Sequence, residues 1–163
     1  MGLFSKKNKD DNVVSTQVKF FDGLDLFFKG ELVELSYNKE EKKVIIESKF
    51  KDKRTGEKKK ANLSVDKIKR AEFLNEQEII EKQKSVGGRA VVGALALGPL
   101  GAVIGGMTGI GKKEKKGKLN QYIIINYDED KVLSFELPPT NFSFIKVMNA
   151  INNDIKVESE IEL

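Results

Sequence analysis

The chain has 163 residues and a formal net charge of +4; 39% of it is hydrophobic and 33% charged. That length suits one compact domain with an appendage, and ten phenylalanines supply enough bulk for a core, which argues against wholesale disorder. The chain contains no Cys, His or Trp, which excludes disulfides, thiolate nucleophiles, Cys/His zinc sites and every His-dependent triad.

Residues 1–12, "MGLFSKKNKDDN", read as a polar flexible leader. Charges fall within a few residues of Met1 and no apolar run of signal length follows, so the cytoplasm is the expected compartment. Residues 13–86 then carry a β pattern. "LVELSY", "KKVIIESKF" and "KKKANLSV" are rich in Val, Ile, Leu and Phe with partial period-2 alternation, and "KIKRAEF" adds a further strand. The connections "NKEE" (Asn38 to Glu41) and "RTGE" (Arg54 to Glu57) are polar and suit antiparallel hairpins, with Gly56 able to take a positive φ. "LNEQEIIEKQKS" fits either a strand end or a short helix. From Lys51 to Lys60 six basic residues face two acidic ones, a pattern expected of a solvated hairpin tip.

Residues 87–118 break the pattern with a Gly-rich block and a basic flank. "GMTGIGKK" matches G-x-x-x-x-G-K, but Lys113 stands where a P-loop needs a Ser or Thr for Mg²⁺, so the phosphate reading fails. Ala90 to Gly111 is a stretch of 22 residues without charge, long enough to cross a hydrocarbon core of about 30 Å. Seven glycines and Pro99 weaken it as one helix, and strands on both sides require its ends to return to the same place. A hairpin bent at "GPLG" answers both constraints, and its arms of about ten residues each, roughly 15 Å as helix, reach only half a bilayer. Two rows of small residues at four-residue spacing, Gly101, Gly105 and Gly109 beside Ala94, Gly98, Ala102 and Gly106, offer smooth faces for close helix approach, the pattern called a glycine zipper. Arg89, Lys112, Lys113, Lys115, Lys116 and Lys118 flank the block and form a candidate patch for an anionic partner.

Residues 119–155 resume the β pattern with "QYIIINY" and "KVLSFEL", joined by "DED" as a hairpin turn. A calcium loop is excluded there because Leu133 occupies the position that needs Gly. Pro138 and Pro139 stop the last strand, and Thr140 is expected to cap a closing helix whose apolar face carries Phe142, Ile145, Met148 and Ile155, with Ile151 close by. Residues 156–163 read as an acidic tail.

The order of elements, with "FFDGLDLFFKGELVELSYNKEEKKVIIESKF" and "KVLSFELPPTNFSFIKVMNAIN", resembles a bacterial pleckstrin-homology-like (PH-like) domain. The insertion "KSVGGRAVVGALALGPLGAVIGGMTGIGKKEKK" followed by "QYIIINY" is similar to that of small Firmicutes and prophage proteins carrying the same block. The resemblance implies an α+β fold, an antiparallel sheet or partly open barrel closed by a C-terminal helix, with an inserted Gly-rich helical hairpin. It implies a binding or scaffolding module without catalytic residues, metal or cofactor; lipid binding does not follow from such a fold.

The functional expectation is a non-enzymatic scaffold that forms homo-oligomers through the Gly-rich hairpin. One alternative is a peripheral protein whose hairpin dips into the cytoplasmic leaflet while the lysine flank meets anionic headgroups. A second is a prophage-type binder of nucleic acid or a nucleotide ligand, against which "KDKRTGEKKK" offers no interleaved aromatics. The sequence names no small-molecule ligand.

Overall fold

The computed structural model describes residues 11–79, 81 and 120–155. Seven strands form one antiparallel sheet: β1 (Val13–Asp22), β2 (Leu32–Asn38), β3 (Lys43–Ser48), β4 (Lys60–Ser64), β5 (Ile68–Asn75), β6 (Gln121–Tyr127) and β7 (Lys131–Leu137). Their spatial order is β4-β3-β2-β1-β7-β6-β5. Two meanders, β1 to β4 and β5 to β7, therefore meet at β1. A short 3₁₀ turn, Val65–Lys67, leads from β4 into β5, and the helix α1 (Phe144–Asp154) closes the chain of described elements.

β1 divides its pairing along its length. Val13 to Lys19 pair with β2, and Lys19 to Asp22 pair with β7, with a bulge between Phe20 and Asp22. Such an extra residue bends a strand and increases its twist. The sheet curls until Leu35, Tyr37 and Ile46 from one half share a single core with Ile123, Ile125 and Phe135 from the other. The outer edges, β4 and β5, are not paired to each other, so the barrel stays open.

The two halves differ in how they are covered. In β2 only alternate residues, Val33, Leu35 and Tyr37, are buried, as expected of a strand with one face in the core. In β6, Tyr122 to Ile125 are all buried. Ile123 and Ile125 face the main core, whereas Tyr122 and Ile124 join Phe21, Leu74 and Ile79 in a second cluster on the opposite face. Ile79 belongs to a helical stretch at residues 76–79 and 81, which answers the open question there in favour of helix, after a strand that runs on to Asn75. Asn75 and Glu78 cap it reciprocally: the Asn75 amide donates to Glu78 Oε2 at 2.8 Å and the Glu78 amide to Asn75 Oδ1 at 2.9 Å.

The hairpin turns follow their residues. Asn38 Oδ1 accepts the amides of Glu40 and Glu41, and Lys42 takes φ 52°. Gly56 takes φ 71°. Asp128 takes φ 50° and pairs with Lys131 at 3.2 Å, so the acids at 128–130 serve a turn. The first strand, "VVSTQVKFFD", lacks clean alternation, since Ser15, Thr16 and Gln17 interrupt its apolar residues.

Two expectations for the closing helix are corrected. The residue before it is Ser143, not Thr140; Asn141 Oδ1 accepts the Ser143 amide and hydroxyl instead. Its buried stripe is Phe144, Val147, Met148 and Ile151, spaced i, i+3, i+4, i+7. Phe142 is 73% exposed and Ile145 43% exposed. The stripe anticipated from Phe142 and Ile145 thus begins on the neighbouring face, because the helix starts after Phe142 and is phased by Phe144.

α1 is fastened to the sheet at both ends. Near its start, Asn141 Nδ2 donates to Thr16 Oγ1 and to the Gln17 carbonyl at 2.8 and 2.7 Å, and the Thr16 and Ser143 hydroxyls lie 2.8 Å apart. Near its finish, the Tyr37 hydroxyl donates to Asp154 Oδ2 at 2.7 Å. Burial, then the hydrogen bond to Asp154, raises the Tyr37 phenol above its ordinary value of 10.0. Burial does the same to Tyr122. A folded chain that holds these protons more tightly than the unfolded chain loses stability as pH rises above about 10, while the contribution is complete below it. Urea titrations across that range should show the decline. Tyr37→Phe should cost about 1–2 kcal/mol at neutral pH and flatten the decline, Tyr122 leaving a residual slope; an unchanged slope would refute the assignment.

Candidate docking surface

Two strands, β1 ending at Asp22 and β3 ending at Ser48, lead into the loops that run to β2 and β4. The first loop, residues 23–31, turns back on itself through Gly30, whose amide donates to the Phe20 carbonyl at 2.7 Å, while the Glu31 amide donates to the Phe28 carbonyl at 3.0 Å. Gly30 takes φ 89°. The second loop, residues 49–59, is anchored where the Ser48 amide meets the Lys59 carbonyl and the Lys49 amide meets the Leu32 carbonyl, both at 2.9 Å. Asp52 Oδ1 accepts the amides of Arg54 and Thr55 and so shapes its tip.

Glu31 staples the two loops together. It is 8% exposed, accepts the Phe28 amide at 3.1 Å and pairs with Lys59 at 2.9 Å. The Lys59 ammonium also lies 5.2 Å from the centre of the Phe28 ring, a favourable cation–π distance. Held this way, Phe28 is 64% exposed and nearby Leu26 44% exposed. On the second loop Phe50 is 72% exposed. The same two loops carry Lys29, Lys49, Lys51, Lys53, Arg54 and Lys58, all exposed. Several acids in the region have structural work: Glu31 is buried in the staple, Asp52 shapes the loop tip, and Glu47 pairs with Lys58 at 3.0 Å. The two loops therefore combine exposed phenylalanines with exposed basic side chains, alongside the exposed acids Asp25 and Glu57.

A cleft of about 440 Å³ opens beside the first loop, lined by Phe20, Phe21, Asp22, Gly23, Leu24, Asp25, Phe27 and Lys29. The Lys29 ammonium lies 4.2 Å from the centre of the Phe21 ring. Gly23 is required at its base. Its φ is 120°, and a Cβ there would stand 2.3 Å from the Val132 carbonyl oxygen. Among the described residues no group of three Asp or Glu side chains could hold a metal ion, and no helix is long and apolar enough to cross a membrane.

The candidates drawn from sequence, Ala94, Gly98, Gly101, Ala102, Gly105, Gly106 and Gly109 with Arg89, Lys112, Lys113, Lys115, Lys116 and Lys118, lie outside the described residues, as does the P-loop-like stretch. Phe28 and Phe50 were missed. The expected strand "KKVIIESKF" includes Phe50, but β3 ends at Ser48. The available signal was its setting, a lone phenylalanine between Lys49 and Lys51.

An open antiparallel sheet of two meanders closed by a C-terminal helix is the architecture of a PH-like domain, a class that is generally non-enzymatic. More narrowly, residues 26–138 match the family model described as a glycine zipper containing PH domain, and the chain belongs to that family. The match runs from the first loop through β7 and stops before α1. Neither curated proteins nor solved structures provide a match.

The glycines of these loops differ in what a substitution meets. Gly23→Ala combines backbone strain with a collision against the Val132 carbonyl and should cost about 3 kcal/mol or more. Gly56→Ala has open space around its Cβ and only the strain of a positive φ, so about 1 kcal/mol is expected. Denaturant midpoints for the two variants decide it; equal losses would contradict the close approach at Gly23.

Proposed function

We propose that this is a non-enzymatic docking and scaffold protein that approaches an anionic membrane surface with its two stapled loops. The observation that carries the reading is the exposure of Phe28 and Phe50 on two loops that also carry the exposed Lys29, Lys49, Lys51, Lys53 and Arg54. A phenylalanine that is mostly exposed buries little apolar surface in the monomer, whereas at a lipid interface its ring leaves water and adjacent ammonium groups gain from anionic headgroups, each worth about 1 kcal/mol. The first loop supplies a rigid position because Glu31 and Lys59 fix it before contact, which lowers the ordering cost of binding.

Self-association is a second reading, favoured by the four-residue spacing of Gly101, Gly105 and Gly109 and by the family to which the chain belongs. Joined copies would each present an aromatic–basic face, and linked weak contacts add far more than any one of them. The lysine flank from Lys112 to Lys118 would add to the positive charge of such an assembly.

Co-sedimentation with vesicles tests the first reading. The wild type should bind phosphatidylcholine vesicles containing phosphatidylserine, weakly or not at all those of phosphatidylcholine alone, with binding falling as salt is raised. Phe28→Ser with Phe50→Ser should weaken binding about tenfold without shifting the melting temperature. A wild type that ignores anionic vesicles, or a double variant that binds as well as the wild type, would refute the membrane reading. In parallel, Gly105→Leu should lower the solution mass measured by light scattering if zipper packing joins copies; an unchanged mass would remove that reading.

A further inference from the structure

The two open edges of the sheet are unequal. β4 has five residues and begins with Lys60, the kind of short, lysine-bearing edge that discourages pairing. β5 has eight, "IKRAEFLN", and among the described residues no strand pairs its outer side. Its phase is fixed at the far end: the Glu76 amide donates to the Asn120 carbonyl at 3.1 Å, whereas the Asn75 amide turns away to Glu78. Counting back by two along an antiparallel ladder, Arg70, Glu72 and Leu74 direct their backbone groups at β6. Ala71 and Phe73 direct their amides and carbonyls outward.

The side chains on this edge are complementary to themselves. Arg70 and Glu72 form an ion pair along one face of the strand, their exposures 43% and 26%. Consider a second β5 laid antiparallel with Ala71 opposite Ala71. The outward groups of Ala71 then face each other as a hydrogen-bonded pair, and Arg70 of each copy stands opposite Glu72 of the other at the closer, non-hydrogen-bonded spacing. Two ion pairs extend into a square of alternating charge. Sliding the register by two residues sets Glu72 against Glu72, and sliding by one turns each side chain to the wrong face. One register is thus selected by charge.

We infer that the β5 edge is a two-fold pairing surface for a second copy of this chain, with Ala71 opposite Ala71 and Arg70 opposite Glu72. The flank of α1 is consistent with this occupant. A groove lined by Ala71, Glu72, Phe73, Met148, Asn149 and Asn152 runs beside the edge, where Phe73 is 46% exposed, and Ile145 on α1 is 43% exposed. The two-fold brings both α1 helices to one face of a continuous sheet, where Ile145, Asn149 and Asn152, at i, i+4, i+7, can meet their counterparts. The interface shares no residue with the two loops that carry Phe28 and Phe50.

Charge complementation in the full-length chain tests it by sedimentation velocity. In Arg70→Glu both positions are acidic, and in Glu72→Arg both are basic, so each variant alone should associate about tenfold more weakly than the wild type. An equimolar mixture places every acid opposite a base and should restore association. Loss of the pair within each strand is common to the mixed and unmixed samples, so restoration reports contacts between copies. Association through the Gly-rich block is likewise unaltered by mixing, and Gly105→Leu should leave the restoration intact. As a second readout, concentrating the wild type should slow hydrogen exchange at the Ala71 and Phe73 amides. A mixture no more associated than its components, or exchange at those amides independent of concentration, would overturn the inference.

Discussion

The fold depends on the division of β1 between two partners. A strand that pairs with β2 over one part and with β7 over the other makes one sheet of two meanders, and the bulge between Phe20 and Asp22 marks the transfer. Phe20 turns into the main core against Phe27 and Phe135. Phe21 turns outward and stacks edge-on against Tyr122, founding the second cluster. Adjacent phenylalanines thus serve two cores on opposite faces of one sheet. Without that continuity the halves would have separate edges, and α1 would lack the concave surface that it covers against β1, β2 and β5.

Much of this was legible where residue pattern and burial coincide. β2 alternates because one face is wet; "QYIIINY" does not, and the second cluster supplies the reason, since its even-numbered residues Tyr122 and Ile124 meet Phe21 and Ile79 while Ile123 and Ile125 meet the main core. The turns at Asn38, Gly56 and Asp128 were legible because local hydrogen bonds or backbone conformations specify them. β1 was obscured by polar residues whose work is tertiary, above all the buried Thr16, whose hydroxyl meets Asn141 and Ser143. The helix was legible as an element but not in its phase: two apolar stripes, one through Phe142 and Ile145 and one through Phe144 and Val147, compete in the sequence, and only the sheet decides between them.

The docking surface was illegible for a different reason. Glu31 and Lys59 are 28 residues apart, and no local pattern announces that their ion pair will hold two loops together and leave Phe28 outside. Phe50 reads as one more strand residue until the strand's end is known. The basic run, by contrast, was correctly read as a solvated hairpin tip; the phenylalanines beside it change what such a tip can do. Positive charge alone reads as a solubility feature; the exposed apolar rings on the same loops are what the proposed contact surface rests on.

The close approach of Gly23 to the Val132 carbonyl has an evolutionary side. The first loop is moored at both ends, by that contact and by Glu31, so insertions or bulky replacements near its base would be resisted by the core itself. The second loop is closed by its own Asp52 turn, and lengthening such a segment costs only slowly increasing entropy. Two loops sharing one face therefore differ in how freely they can diverge: relatives would be expected to keep the first as a fixed reference and to change what they recognise by altering the second.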